Sequence, residues 1–88
     1  MGNLMTRRSL NVVDFLGKQG IEEVVSLEAL KSAISHVVGG NRGTIKNYLT
    51  HMSTIGLIES LDNKNLKISP EKHLALYKFE YGSLGAKA

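Results

Sequence analysis

Eighty-eight residues make one small domain, and a chain without cysteine holds neither disulfides nor thiolate metal sites. Hydrophobic residues make up 42% and charged residues 22%, an ordinary globular balance, and no apolar run approaches the ~20 residues of a membrane-spanning helix. The net charge of +3 is uneven: residues 1–28 sum to −1 and residues 59–88 to +1, whereas residues 29–58 carry Lys31, Arg42 and Lys46 with no acid, a field suited to phosphates.

Residues 1–8 read as an N-terminal arm. Met1-Gly2-Asn3-Leu4-Met5-Thr6 fits the permissive N-myristoylation pattern, which ordinary second-position glycines also satisfy. Arg7-Arg8 is not an export signal, because Asp14 interrupts the apolar stretch behind it and no small-residue cleavage site follows. Ser9 has the chemistry of an N-cap for a first helix reaching Gln19, with Val12, Val13 and Leu16 on one face and Leu10 and Phe15 on its flanks. Gly20 supplies the stop. Glu22-Glu23-Val24-Val25 is β-branched and too short for a helix, so it predicts a brief strand.

A second helix opens on Ser26 as N-cap with Glu28 in its first turn, where a carboxylate suits the positive end of the dipole. Leu27, Leu30, Ala33, Ile34, Val37 and Val38 share an arc of about 140°. Gly39-Gly40 ends that helix and permits an abrupt change of direction. The third helix, about Arg42 to Ile55, collects Ile45, Tyr48, Leu49, Met52, Ile55 and Gly56 within about 120°. Its other arc holds Gly43, Thr44, Lys46, Asn47, Thr50, His51 and Thr54. A merely solvated helix face shows Glu/Lys pairs four residues apart, and this one has none. Leu57–Ser60 and Leu66–Ser69 then alternate as two strands around a turn-rich Asp62-Asn63-Lys64-Asn65, which predicts a hairpin. Ser69-Pro70-Glu71 starts a last helix, expected to reach about Tyr81 and to leave residues 82–88 as a frayed tail.

The stretch Ile45-x-x-Tyr48-Leu49-x-x-Met52-x-x-Ile55-Gly56-Leu57-Ile58-Glu59 resembles the recognition helix and first wing strand of winged helix-turn-helix DNA-binding domains. The preceding Ser26-Leu27-Glu28-x-Leu30 to Gly40 looks like the supporting helix of the same motif, and the resemblance spans residues 9–69. Small regulators of the MarR and ArsR type share this architecture. The resemblance implies an α+β, mostly α fold: a three-helix core, a short hairpin wing over residues 61–66, and an additional C-terminal helix over residues 70–81. It implies a cytoplasmic, nucleoid-associated transcriptional regulator.

In that arrangement the third helix enters the major groove, N-terminal half foremost. Arg42 suits a phosphate or a guanine edge, Asn47 an adenine edge, and Thr44 a base or the backbone. Gly43 shares their arc, while Lys46, Thr50 and His51 are candidates for phosphate or further base contacts. Asn63, Lys64 and Lys67 would form the wing, and Lys31 and His36 on the supporting helix are within the reach of backbone phosphate in that arrangement, though better read as surface residues. On the last helix Leu74, Tyr77 and Tyr81 form one apolar stripe and Ala75, Leu76 and Phe79 another. One stripe can cover the core, and the second predicts a homodimer through Leu76, Tyr77, Phe79 and Tyr81; the alternative is a chain end that packs on the first helix, in one cluster with Phe15 and Leu10.

No catalytic set emerges. His36, His51 and His73 lie on different helices, none with a His, Asp or Glu three or four residues away. Gly39–Thr44 lacks the Gly-Lys-Ser/Thr ending of a phosphate-binding loop, so no nucleotide cofactor is implied and no small-molecule effector is evident. The rival reading is a winged helix used for protein contact in replication, transcription or membrane-remodelling machinery. That use calls for large apolar residues or acids on the outer face of the third helix.

Overall fold

The computed structural model describes the backbone of residues 3–87 and the side chains of residues 3–81. In chain order it contains α1 (Leu4–Lys18), β1 (Val24–Ser26), α2 (Leu27–Val37), α3 (Arg42–Thr54), β2 (Ile58–Ser60), β3 (Asn65–Ile68) and α4 (Pro70–Lys87). The described residues thus form a mostly helical α+β fold of four helices and one three-stranded antiparallel sheet. No helix among them is long and apolar enough to cross a membrane.

The first helix starts five residues earlier than Ser9. Its N-cap is Asn3, whose side chain accepts the Thr6 amide at 3.1 Å. Ser9 instead lies inside the helix, fully buried, and its hydroxyl donates to the Met5 carbonyl one turn back at 2.8 Å. A serine bonded to the preceding turn resembles a cap in sequence but not in place. The arm expected over residues 1–8 is therefore helical from Leu4 onward; Met1 and Gly2, with the lipidation pattern they open, lie outside the described residues.

Leu10 and Val12 point about 160° apart on α1 by the ideal helical step, yet both are fully buried. One neighbour cannot cover both. α1 packs against α2, α3 and α4. Its own Leu16 and the surrounding Val25, Leu30, Ile34, Met52, Leu57 and Ile68 are all buried. Each such side chain contributes ~1.5–3 kcal/mol of transfer free energy.

The helices that follow keep their expected limits because their caps are local. Ser26 accepts the Ala29 amide to start α2, and Asn41 accepts the Thr44 amide to start α3, both at 3.1 Å. Between them Gly40 has φ +97°, and a Cβ there would meet Thr44 atoms at 2.8–2.9 Å. The turn therefore needs a residue with no side chain. At the far end of α3, Gly56 (φ +79°) donates to Ser53 O and Leu57 donates to Met52 O. This paired closure turns the chain directly into β2 and buries Leu57 against the helix it has just left.

Strand order is β1-β3-β2, with Val24 opposite Lys67 and Glu59 opposite the same lysine on the other side. Alternation sends Val25, Ile58 and Ile68 into the core and leaves Val24, Lys67 and Glu59 on the outward face. The brief strand expected over residues 22–25 instead runs Val24–Ser26, because pairing with β3 fixes its register. At the last helix, Ser69 Oγ accepts the Lys72 amide at 3.2 Å, as a cap before Pro70 should. The helix runs on through Lys87 instead of stopping near Tyr81; Ala88 lies outside the described residues.

Candidate nucleic-acid interface

Tyr48 and Met52 are buried, and Ile45, Leu49 and Ile55 half-buried, so α3 is held to the core along one face. The residues left exposed are Arg42, Gly43, Lys46, Asn47, Thr50, Ser53 and Thr54. From Arg42 to Thr50 this face runs about 12 Å at the helical rise. It bears two cations and no acid, and its positive dipole end is at Arg42.

Two of the expected contact residues take other positions. His51 is half-buried, with Nε2 3.0 Å from Thr6 Oγ1 on α1. The ring ties α3 to the first helix, and its place near the edge of the apolar arc explains why it turns inward. Thr44 is half-buried beneath Gly40, its amide engaged by the cap. Neither presents its polar group at the front of the helix. On α2, His36 stacks on Phe15 with ring centroids 4.5 Å apart, while Lys31 is exposed.

The hairpin loop is tightly built. Asp62 Oδ1 accepts the amides of Lys64 and Asn65 at 2.8 and 2.9 Å, and the Asn65 side-chain amide at 3.3 Å. The Lys64 amide, then the Asn65 side chain, then the Asn65 amide hold the Asp62 carboxyl below its ordinary pKa. Asn63 and Lys64 are exposed at the tip. Lys67 is exposed as well, but it stands directly across from Glu59, which offsets its charge. The Lys64 carbonyl accepts the Leu27 amide at 2.7 Å, so the tip sits against the first turn of α2.

The α4 face is divided differently from the two predicted stripes. Leu76 and Tyr81, one from each stripe, pack on the core, and the Arg7 guanidinium lies 5.6 Å over the Tyr81 ring. Between them Glu80 is buried, its side chain only 2% exposed. One carboxylate oxygen of Glu80 accepts the Asn3 amide at 2.9 Å and Arg7 Nε at 3.1 Å. An inward-facing acid breaks the apolar pattern that a stripe argument follows, and its partner is 73 residues away. Leu76 and Tyr81 are thus used within the chain. Leu74 (56%), Tyr77 (44%) and Phe79 (67%) remain exposed.

Sequence spacing also misses a histidine–carboxylate pair. His73 Nε2 lies 3.1 Å from Asp14 Oδ1, joining α4 to α1 across 59 residues. They line an open groove that also holds Lys18, Glu22 and Glu23. Three carboxylates against one lysine make this groove unfavourable to phosphate, in contrast to α3. Among the described residues no three His, Asp or Glu side chains converge as metal ligands. No family model, curated protein or solved structure matches the chain.

Proposed function

We propose that this chain is a winged helix-turn-helix module that binds duplex DNA through the exposed face of α3, acting as a small sequence-specific regulator. The element order, with a tight turn between α2 and α3 and a hairpin directly after α3, is compatible with that layout. The observation that carries the reading is the acid-free outer face of α3, where Arg42, Lys46, Asn47 and Thr50 stand exposed together. Arg42 at the helix start meets a phosphate or guanine, Asn47 five residues on pairs with adenine, and Lys46 and Thr50 anchor the backbone. Large apolar residues and acids, which a protein-contact face would need, are absent from the exposed residues of this described helix.

With Lys31 and Lys64 beside Arg42 and Lys46, one copy offers about four phosphate contacts, hence a salt slope of roughly −3.6. Binding by a single copy is correspondingly weak. A second copy covering Leu74, Tyr77 and Phe79 would add its own contacts and strengthen binding without any new chemistry at α3. The test is a titration of random and selected duplexes across salt concentrations. A steep linear fall of log affinity with log salt is expected; no binding, or binding indifferent to salt, overturns the reading.

A further inference from the structure

The hairpin tip contains an apparent contradiction: an exposed carboxylate, Asp62, stands two residues from the lysine that faces solvent there. If Asp62 acted on DNA only through its charge, it would repel phosphate and weaken binding. Its geometry gives it another role. Lys64 has both backbone groups fixed, its amide by Asp62 Oδ1 at 2.8 Å and its carbonyl by the Leu27 amide at 2.7 Å. The next residue is pinned three times over, since Asn65 gives its backbone and side-chain amides to Asp62 while its carbonyl accepts from Leu61 and Asp62. Ser60 Oγ adds a bond to the Asp62 carbonyl at 3.3 Å. Asn63, at the apex, is carried between the two fixed ends.

We infer that Asp62 is a positioning residue: its carboxylate sets the tip so that the Lys64 and Asn63 side chains leave a fixed backbone toward duplex DNA. This rests on the proposed DNA reading. A flexible lysine loses side-chain and backbone freedom on meeting a phosphate. Ordering the backbone in advance removes part of that cost from the binding step. The acid's repulsion is small at this exposed position, where water and salt screen it, and its charge is already engaged by three N–H donors.

Charge and positioning predict opposite signs, which makes the test decisive. Asp62→Ala and Asp62→Asn both remove the negative charge, but asparagine keeps an acceptor oxygen for the Lys64 and Asn65 amides. Duplex affinity is measured for the wild type and both variants over a range of salt, with the Lys64 and Asn65 amide exchange rates followed alongside. Positioning predicts that D62A binds about fivefold more weakly despite the extra net positive charge, and that its salt slope shrinks by up to ~0.9 as one phosphate contact is lost. D62N should stay within about twofold of wild type, with slow exchange at both amides. In a K64A/N63A background D62A should have no further effect, because nothing remains for it to position. D62A binding as tightly as wild type or tighter overturns the inference, and so does an equal D62A penalty in the K64A/N63A background. Wild-type protein that binds no duplex at all defeats the DNA reading itself, whereas fast amide exchange in D62N defeats the positioning role alone.

Discussion

Replacing either glycine of the α2–α3 turn by alanine separates two physical costs that usually arrive together. Gly39 (φ +80°) and Gly40 (φ +97°) both adopt left-handed backbone, so an L side chain is strained at each. That strain is ~1–2 kcal/mol, offset by ~0.4–1 kcal/mol because alanine restricts the unfolded chain. Around Gly39 a Cβ meets nothing within 4 Å, so Gly39→Ala should cost about 1 kcal/mol in all. At Gly40 the same atom falls 2.8 Å from Thr44 Cβ and Oγ1 and 2.9 Å from Cγ2. These are not the far end of a flexible chain, so α3 itself must move, adding ~1–3 kcal/mol of overpacking. Gly40→Ala should therefore cost about 2–4 kcal/mol, read from urea unfolding midpoints with an unchanged m-value. It should weaken duplex binding more than Gly39→Ala does, because displacement of α3 carries Arg42 and Lys46 with it. Equal costs at the two glycines would mean that Thr44 does not crowd position 40.

Four other outcomes follow. Glu80→Ala removes the acceptor of the Asn3 amide and the partner of Arg7; since Arg7 is 44% exposed, the amide dominates and the loss should be about 2 kcal/mol by urea unfolding, with Glu80→Gln milder. The Asp62 carboxyl has a lowered folded pKa, so its support of the turn is full above the ordinary value of 3.8 and is lost as pH falls through the folded value. Amide shifts of Lys64 and Asn65 should move in that acid range in wild type and stay flat in Asp62→Asn. Arg42→Ala and Asn47→Ala should each lose ~1–3 kcal/mol of discrimination between selected and random duplexes, and a loss equal on every sequence would mark a backbone anchor instead. Phe79→Lys should shift sedimentation toward the monomer if α4 carries a second copy, and unchanged mass would remove α4 from that role.

Features fixed by neighbours a few residues away are legible in the chain. Ser26 with Glu28, the Gly39-Gly40 turn, Gly56 after an apolar arc and Ser69-Pro70 each declare an element boundary through bonds spanning about one helical turn. Boundaries and faces set across the fold are not. Asn3 outcompetes Ser9 as the first cap because α4 brings Glu80 to its amide, a contact 77 residues apart. The inward side of α4 holds His73, Leu76, Glu80 and Tyr81, with a histidine and a glutamate among them, so no apolar stripe marks it. His51 shows the same limit at the candidate site: its arc is exposed on an isolated α3 and is closed by Thr6 only when α1 is in place. The front of α3, Arg42 through Thr50, was readable because nothing from elsewhere in the described chain covers it.

Amide chemical-shift mapping on adding a short duplex reads directly whether α3 meets DNA. Binding through α3 predicts saturable changes concentrated at Arg42, Gly43, Lys46, Asn47 and Thr50, with a smaller group at Asn63 and Lys64. Little should change around Asp14, Glu22 and Glu23. Changes centred on that acidic groove or on the outward side of α4, with α3 silent, would contradict it.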